Sequence, residues 1–253
     1  MRHAQHPAFR PTTRVRFIGL LASISLASAV APTAWAGSNI DNVGGLSQNL
    51  FKDLTADLGA ALSYKAIRPA EPLGSLGFDI GFEVTSTSLE SSALETATSG
   101  DATSSHLLVP KLHVSKGLPF GLDVGAFYTS VPSSNIGLLG GELSYALFEG
   151  TALTPAVSIR GTFSRLTGVN DLDLTTKGLE LSISKGFAFF TPYAGIGQVW
   201  IDGQTSVGLA DESLTKNKYF LGFNFNLGLM NIAAETEQTG DNTSTSAKIG
   251  VRF

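Results

Sequence analysis

Cysteine is absent from the 253 residues, so neither a disulfide framework nor a thiolate metal site holds this chain together. Charge is sparse: only 15% of residues are Asp, Glu, Lys or Arg, and the net charge is -4. No basic stripe follows from so few cations, which sets nucleic acid aside as a partner. Beyond the N-terminal region no apolar run approaches ~18 residues, which excludes a helical membrane protein. Histidine is scarce too, and no His or carboxylate cluster recurs at ligand spacing, so neither a metal nor a cofactor is expected.

What is present begins with a leader. Arg10, Arg14 and Arg16 precede the apolar run "FIGLLASISLASAVA" (17–31), and Ala34, Trp35 and Ala36 follow it. This order of basic, apolar and small-residue segments defines a signal peptide over 1–36, with cleavage expected before Gly37. The run is shorter than the ~20 residues of a membrane span and is broken by Pro32. His3 and His6 belong to this leader, leaving His106 and His113 in the exported chain.

Glycine is abundant at 28 residues, and 16 phenylalanines outnumber the 5 tyrosines and 2 tryptophans together. From residue 76 to 253 the hydrophobicity alternates with period two, whereas a helix repeats at 3.6. In "LGFDIGFEVTST" Leu76, Phe78, Ile80, Phe82 and Val84 share one face, and Asp79, Gly81, Glu83 and Thr85 the other. In "KYFLGFNFNLG" Tyr219, Leu221, Phe223, Phe225 and Leu227 oppose Phe220, Gly222, Asn224 and Asn226. Ten strands are expected, near 76–87, 106–116, 120–131, 136–148, 153–165, 172–184, 190–202, 217–228, 231–238 and 244–253. Their length suits a tilted membrane strand of ~9–11 residues or slightly more.

The connections are expected to alternate. "KGLPFG", "FEGTAL", "GFAFFT" and "LMN" are tight, whereas "SLESSALETATSGDATSS", "PSSNIG", "LTGVND", "GQTSVGLADESLTKNK" and "TEQTGDNTST" are polar and mostly longer. Such asymmetry places all long loops at one end of an up-and-down meander. Phe120, Phe148, Phe187, Phe189, Phe190, Tyr193 and Phe253 fall beside the tight turns, as an interfacial girdle would, with Trp200 and Tyr219 at the other end.

The leader, the alternating strands and the terminal "KIGVRF" resemble a Gram-negative outer-membrane β-barrel protein. The resemblance covers 76–253 and implies an all-β, up-and-down antiparallel transmembrane barrel of about ten strands, twelve being the alternative. It also implies outer-membrane lipid as surroundings, and Ile249, Val251 and Phe253 as the signal read by the barrel assembly machinery.

With the apolar side facing lipid, the inward set is Asp79, Glu83, Lys111, His113, Asp123, Glu142, Arg160, Glu180, Asn224, Asn226, Glu235, Lys248 and Arg252. Acids and bases nearly balance there, which favours pairing across a narrow lumen, since an unpaired buried charge is costly. Two functions follow: a channel for a small polar solute through a polar lumen, or a closed structural or surface-interaction barrel. A rim hydrolase built on His106 with Asp101, Ser104 or Ser105 is the third and weakest, and the chain is read as a non-enzyme.

Residues 37–75 form a separate N-terminal segment. Leu46, Leu50, Leu54, Leu58 and Leu62 recur every four residues, and only Gly59 opposes a helix. This helix is expected to plug the lumen or lie at the periplasmic mouth. "DLGAALSYKAI" also alternates, so an additional strand is the competing reading.

Overall fold

The computed structural model describes residues 39–253 apart from 103, 132 and 133. The leader 1–36 and its cleavage site lie outside the described residues.

Ten strands close into one antiparallel barrel. They are β1 (Phe78–Ser88), β2 (His106–Gly117), β3 (Leu122–Ser130), β4 (Gly137–Phe148), β5 (Ala156–Thr167), β6 (Leu172–Ser184), β7 (Phe190–Thr205), β8 (Glu212–Leu227), β9 (Met230–Thr239) and β10 (Asn242–Arg252). Each pairs with its sequence neighbours, and β1 meets β10 in the register Asp79↔Arg252, Phe82↔Ile249, Glu83↔Lys248 and Thr87↔Ser244. Closure leaves no strand edge unpaired, which answers the tendency of an open sheet to recruit other chains.

The strict alternation of loop lengths does not hold. One end of the barrel carries 118–121, 149–155, 185–189 and 228–229, here called the turn end. The other, the loop end, carries 89–105, 131–136, 168–171, 206–211 and 240–241, of which the first alone is long and contains the helix α2 (Ala93–Ala97). The ninth connection is a tight turn at Gly240 (φ 60°) and Asp241, not a ten-residue loop. The reason is chemical: Thr and Ser read as loop formers, yet β-branched Thr suits a pleated strand. Here Thr85 bonds Ser246 at 2.9 Å and Thr87 bonds Ser244 at 2.8 Å across the β1–β10 pair. β7 and β8 likewise run past Trp200 and Tyr219 into polar residues that pair in register, such as Asp202↔Ser213.

Outside, the barrel is apolar: Phe82, Leu112, Tyr128, Leu143, Leu181, Ile196, Leu221 and Ile249 are all exposed. Phe120, Phe148, Phe187, Phe189 and Phe253 stand exposed at the turn end as expected. Tyr193 does not join them. It is 2% exposed and faces inward, its ring 6.5 Å from that of Phe220, because Thr191, Tyr193 and Gly195 fall on the inner phase of β7.

Inside lies α1 (Gln48–Leu62), which settles the competing readings of this segment in favour of a helix and leaves ten strands. Ser47 caps it, its hydroxyl accepting from the Leu50 N–H at 3.3 Å. At the other end Lys65 Nζ donates to the Ala60 carbonyl at 2.9 Å, the placement a cation prefers at a helix C-terminus. α1 contacts β1, β2, β5, β6, β7, β8 and β10, so the wall surrounds it. The fit against β7 is close. A Cβ at Gly59 would come within 2.4 Å of Ile201, and one at Gly203 within 2.6 Å of Thr55.

Candidate functional site

The lumen has two chemically distinct halves, which a single polar interior does not describe. Towards the loop end the inward residues Leu107, Val109, Phe127, Leu138, Leu166, Leu172, Leu174, Val199 and Ile201 form one apolar core with Phe51, Leu54, Leu58, Ala61 and Leu62 of α1. The hydroxyl pairs on β1 and β10 complete that half. Asp57, the buried acid of α1, accepts from the Glu90 and Ser91 N–H groups at 3.1 Å and from Asn242 Nδ2 at 2.7 Å, tying the helix to the first connection.

The rest of the interior is ionic, along a path from Asp123, next to the turn end of β3, to Glu237, near the loop end of β9. Residues 63–70 leave the helix and run among the charges of the wall, all of them buried. Arg68 Nη1 lies 2.8 Å from Asp123 and its Nε 3.0 Å from Glu142. Glu142 also holds Arg160 at 2.9 Å, and Arg160 reaches Glu180 at 3.0 Å. Glu180 binds Lys218 at 2.7 Å, which reaches Glu237 at 2.8 Å, and Glu237 faces Lys65 at 3.3 Å. The sign alternates at every step from Asp123 to Lys65, with a plug residue next to one end and at the other. Lys111–Glu83 and Lys248–Asp79, each 2.8 Å, sit on the remaining wall, and Arg252 is 4.0 Å from Asp79. Glu235 stands beside Glu237, with Lys218 and Tyr193 nearby.

His113 is fully buried, with Nε2 2.9 Å from the Tyr64 hydroxyl of the plug and 3.3 Å from Ser115 Oγ. Asn224 and Asn226 meet at 3.1 Å, and Asn231 donates to both, at 2.6 and 2.7 Å. Every inward residue named from the sequence therefore sits on the inner wall, and most are joined in these networks. Lys218, Glu237 and Asn231 extend the set. Period two continued back from Asn224 through Phe220 reaches Lys218, and continued on from Glu235 it reaches Glu237. Lys65, Arg68, Tyr64 and Asp57 have no such signal, because they come from the plug and not from a strand.

The histidine at the rim stands apart. Ser105 Oγ lies 3.1 Å from His106 Nδ1, and the His106 N–H donates to Ser104 Oγ at 3.2 Å, all exposed. Among the described residues no hydrogen bond joins His106 to Asp101.

Charge is partitioned by location. Inside, acids and bases nearly balance. At the turn end Glu71 and Glu149 are offset by Lys116 and Lys185. The surplus of acid lies at the loop end: Asp41, Asp53, Glu90, Glu95, Asp101, Asp171, Asp173, Asp202, Asp211, Glu212 and Asp241 stand against Lys52, Arg165, Lys177 and Lys216.

The fold and site thus define a closed ten-stranded antiparallel barrel whose bore is filled by its own polypeptide. No protein-family model matches the chain, and no curated protein matches it. Among solved structures it is similar to the β domain of the Bordetella autotransporter BrkA, at TM-score 0.39 and 11% identity over 69% of this chain and 100% of that one. The KdgM porin in complex with disordered oligogalacturonate gives TM-score 0.37 and 10% identity over 69% and 99%. Ail of Yersinia pestis, in complex with the heparin analogue sucrose octasulfate, gives TM-score 0.28 and 14% identity over 70% and 97%.

Proposed function

We propose that this chain is an exported outer-membrane β-barrel, loop end outward, whose lumen is closed by its own N-terminal segment. It then serves as a structural or surface-interaction barrel and not as an open channel for a small polar solute. The observation that carries this reading is that residues 57–70 are buried without a break along the bore. Membrane insertion is supported by the exterior. Leu112 and Leu221 are each 61% exposed and Phe82 51%, and a belt of such side chains is stabilised by hydrocarbon at ~1.5–3 kcal/mol per side chain. Outward orientation of the loop end is supported by the polar extensions of β7 and β8 and by the acidic surplus there.

Planar-bilayer recording tests the closed reading. The refolded protein is expected to give no ohmic steps, and steady conductance from the unmodified chain would return the solute channel to first place.

We further propose that the last strand acts in assembly. Ile249, Val251 and Phe253 all face lipid, and Phe253 exchanges two backbone hydrogen bonds of 2.9 Å with Phe78 while its ring stacks on Phe78 at 5.9 Å. Deleting Phe253 is expected to lower the amount of barrel in the outer membrane several-fold while leaving refolding into detergent nearly unchanged. Equal losses in both measurements reduce the residue to a clasp on the β1–β10 seam.

A further inference from the structure

The plug has a direction, and that direction carries a second function. Its first described residues are fastened to the loop end: the Ile40 N–H donates to Asn135 Oδ1 at 2.9 Å, the Asn42 N–H to the Ala97 carbonyl at 2.9 Å, and Gln48 Nε2 to the Ala210 carbonyl at 3.0 Å. Its last residues are fastened to the turn end. The Leu73 N–H donates to Asp123 at 3.1 Å, and Lys116 Nζ to the Ser75 carbonyl at 2.7 Å, just before β1 begins at Phe78 beside Phe253. Between these anchors α1 spans ~22 Å at 1.5 Å per residue. Its last carbonyl, Leu62, accepts from Ser164 Oγ of β5 at 2.8 Å, and residues 63–73 complete the passage, the Ala70 N–H donating to Ser184 Oγ at 3.1 Å at the turn end of β6. The segment therefore does not fold back into the bore from the mouth it entered. It passes through.

We propose that the barrel is a carrier as well as a wall: it holds residues 48–73 threaded along its bore so that residues 39–47 are presented on the outer face of the cell. This rests on the membrane orientation proposed above. The chain crosses the membrane once inside the barrel before it begins the strands, so residues 39–47 and Phe253 lie on opposite sides although the strand count is even. The bore suits this task. Its loop-end half grips a helix by shape, through Gly59 against Ile201 and Gly203 against Thr55. Its ionic part grips the chain beyond the helix by charge, through Arg68 and Lys65. A plug serving closure alone has no need to emerge at the far side and to dock there on the first, third and seventh connections.

The absence of cysteine makes the test direct. Single-cysteine variants of the full-length protein, Asn39→Cys, Lys52→Cys and Ser75→Cys, are labelled on intact cells with a membrane-impermeant maleimide. Glu95→Cys at the loop end and Leu153→Cys at the turn end report orientation. On intact cells Asn39→Cys, Lys52→Cys and Glu95→Cys are expected to label at least tenfold faster than Ser75→Cys and Leu153→Cys, which label only after permeabilisation. Should Glu95→Cys label while both Asn39→Cys and Lys52→Cys stay silent, or while Ser75→Cys reacts on intact cells, threading is overturned and the orientation stands. Should Leu153→Cys label on intact cells, or Glu95→Cys fail to, the membrane orientation falls and surface presentation falls with it. Lys52→Cys guards against a local failure of the Asn39→Cys variant.

Discussion

Arg68→Leu is expected to unlock the plug, lowering the unfolding free energy by about 3–5 kcal/mol, the usual effect of removing one partner from a buried ion pair. Arg68 is the point where the threaded segment holds the wall, with Asp123 at 2.8 Å and Glu142 at 3.0 Å, both buried. Without it Glu142 retains Arg160 at 2.9 Å, but among the described residues Asp123 keeps only the Leu73 N–H at 3.1 Å. A carboxylate in that position, cut off from water and from a cation, lowers its energy by drawing water in along the bore. The variant is therefore expected to flicker between closed and conducting levels in a planar bilayer, whereas the unmodified protein is expected to stay silent. Adding Asp123→Asn to Arg68→Leu removes the stranded charge, and at least half of the lost stability should return in urea titrations of the vesicle-inserted protein. A fully additive loss in the double variant, with no conductance in either, would show that the charge series is not what seats the plug.

The parts of this molecule legible in the sequence are those governed by period two. Phe78, Ile80, Phe82 and Val84 alternate with Asp79, Gly81, Glu83 and Thr85 because one side meets an apolar exterior and the other the bore, and the ten strands follow from that contrast. Where the contrast is weak the reading slips. "TEQTGDNTST" is polar on both phases, so it looks like a loop, although Thr236↔Thr245 and Gln238↔Thr243 pair within a hairpin. The aromatic at Tyr193 looks like a girdle residue until its phase on β7 is counted. The inner wall splits into apolar and ionic halves because the bore has two kinds of guest, and strand periodicity reports a side chain's face but not what lies across from it. Leu107, Val109, Leu138 and Leu174 are apolar on the inner face, against the simple rule, because α1 is there to be packed. Lys65 and Arg68 escape for a related reason: they lie on an irregular stretch, where no repeat tells which way a side chain points.

The apolar half answers to a different mutation with a different signature. Leu58→Ala should cost about 2–5 kcal/mol, the range for truncating a fully buried leucine into a cavity. Leu58 is wholly enclosed, on the stretch of α1 that packs inside the barrel, and it belongs to the same core as Ile201, Leu174 and Leu107. Leu50→Ala, two helical repeats nearer the mouth and only partly buried, should cost under half as much. Neither change strands a charge, so neither creates a demand for water in the bore. The helix is expected to loosen while Arg68 and Lys65 keep the lower segment in place. Leu58→Ala should then raise proteolysis within residues 48–62 from the loop side, with bilayers remaining silent. That dissociation between mobility and conductance separates a plug held by two independent grips from one that swings out as a single body. If Leu58→Ala opens the channel as readily as Arg68→Leu does, the ionic half is not an independent lock but depends on the helix above it to keep Arg68 within reach of Asp123 and Glu142.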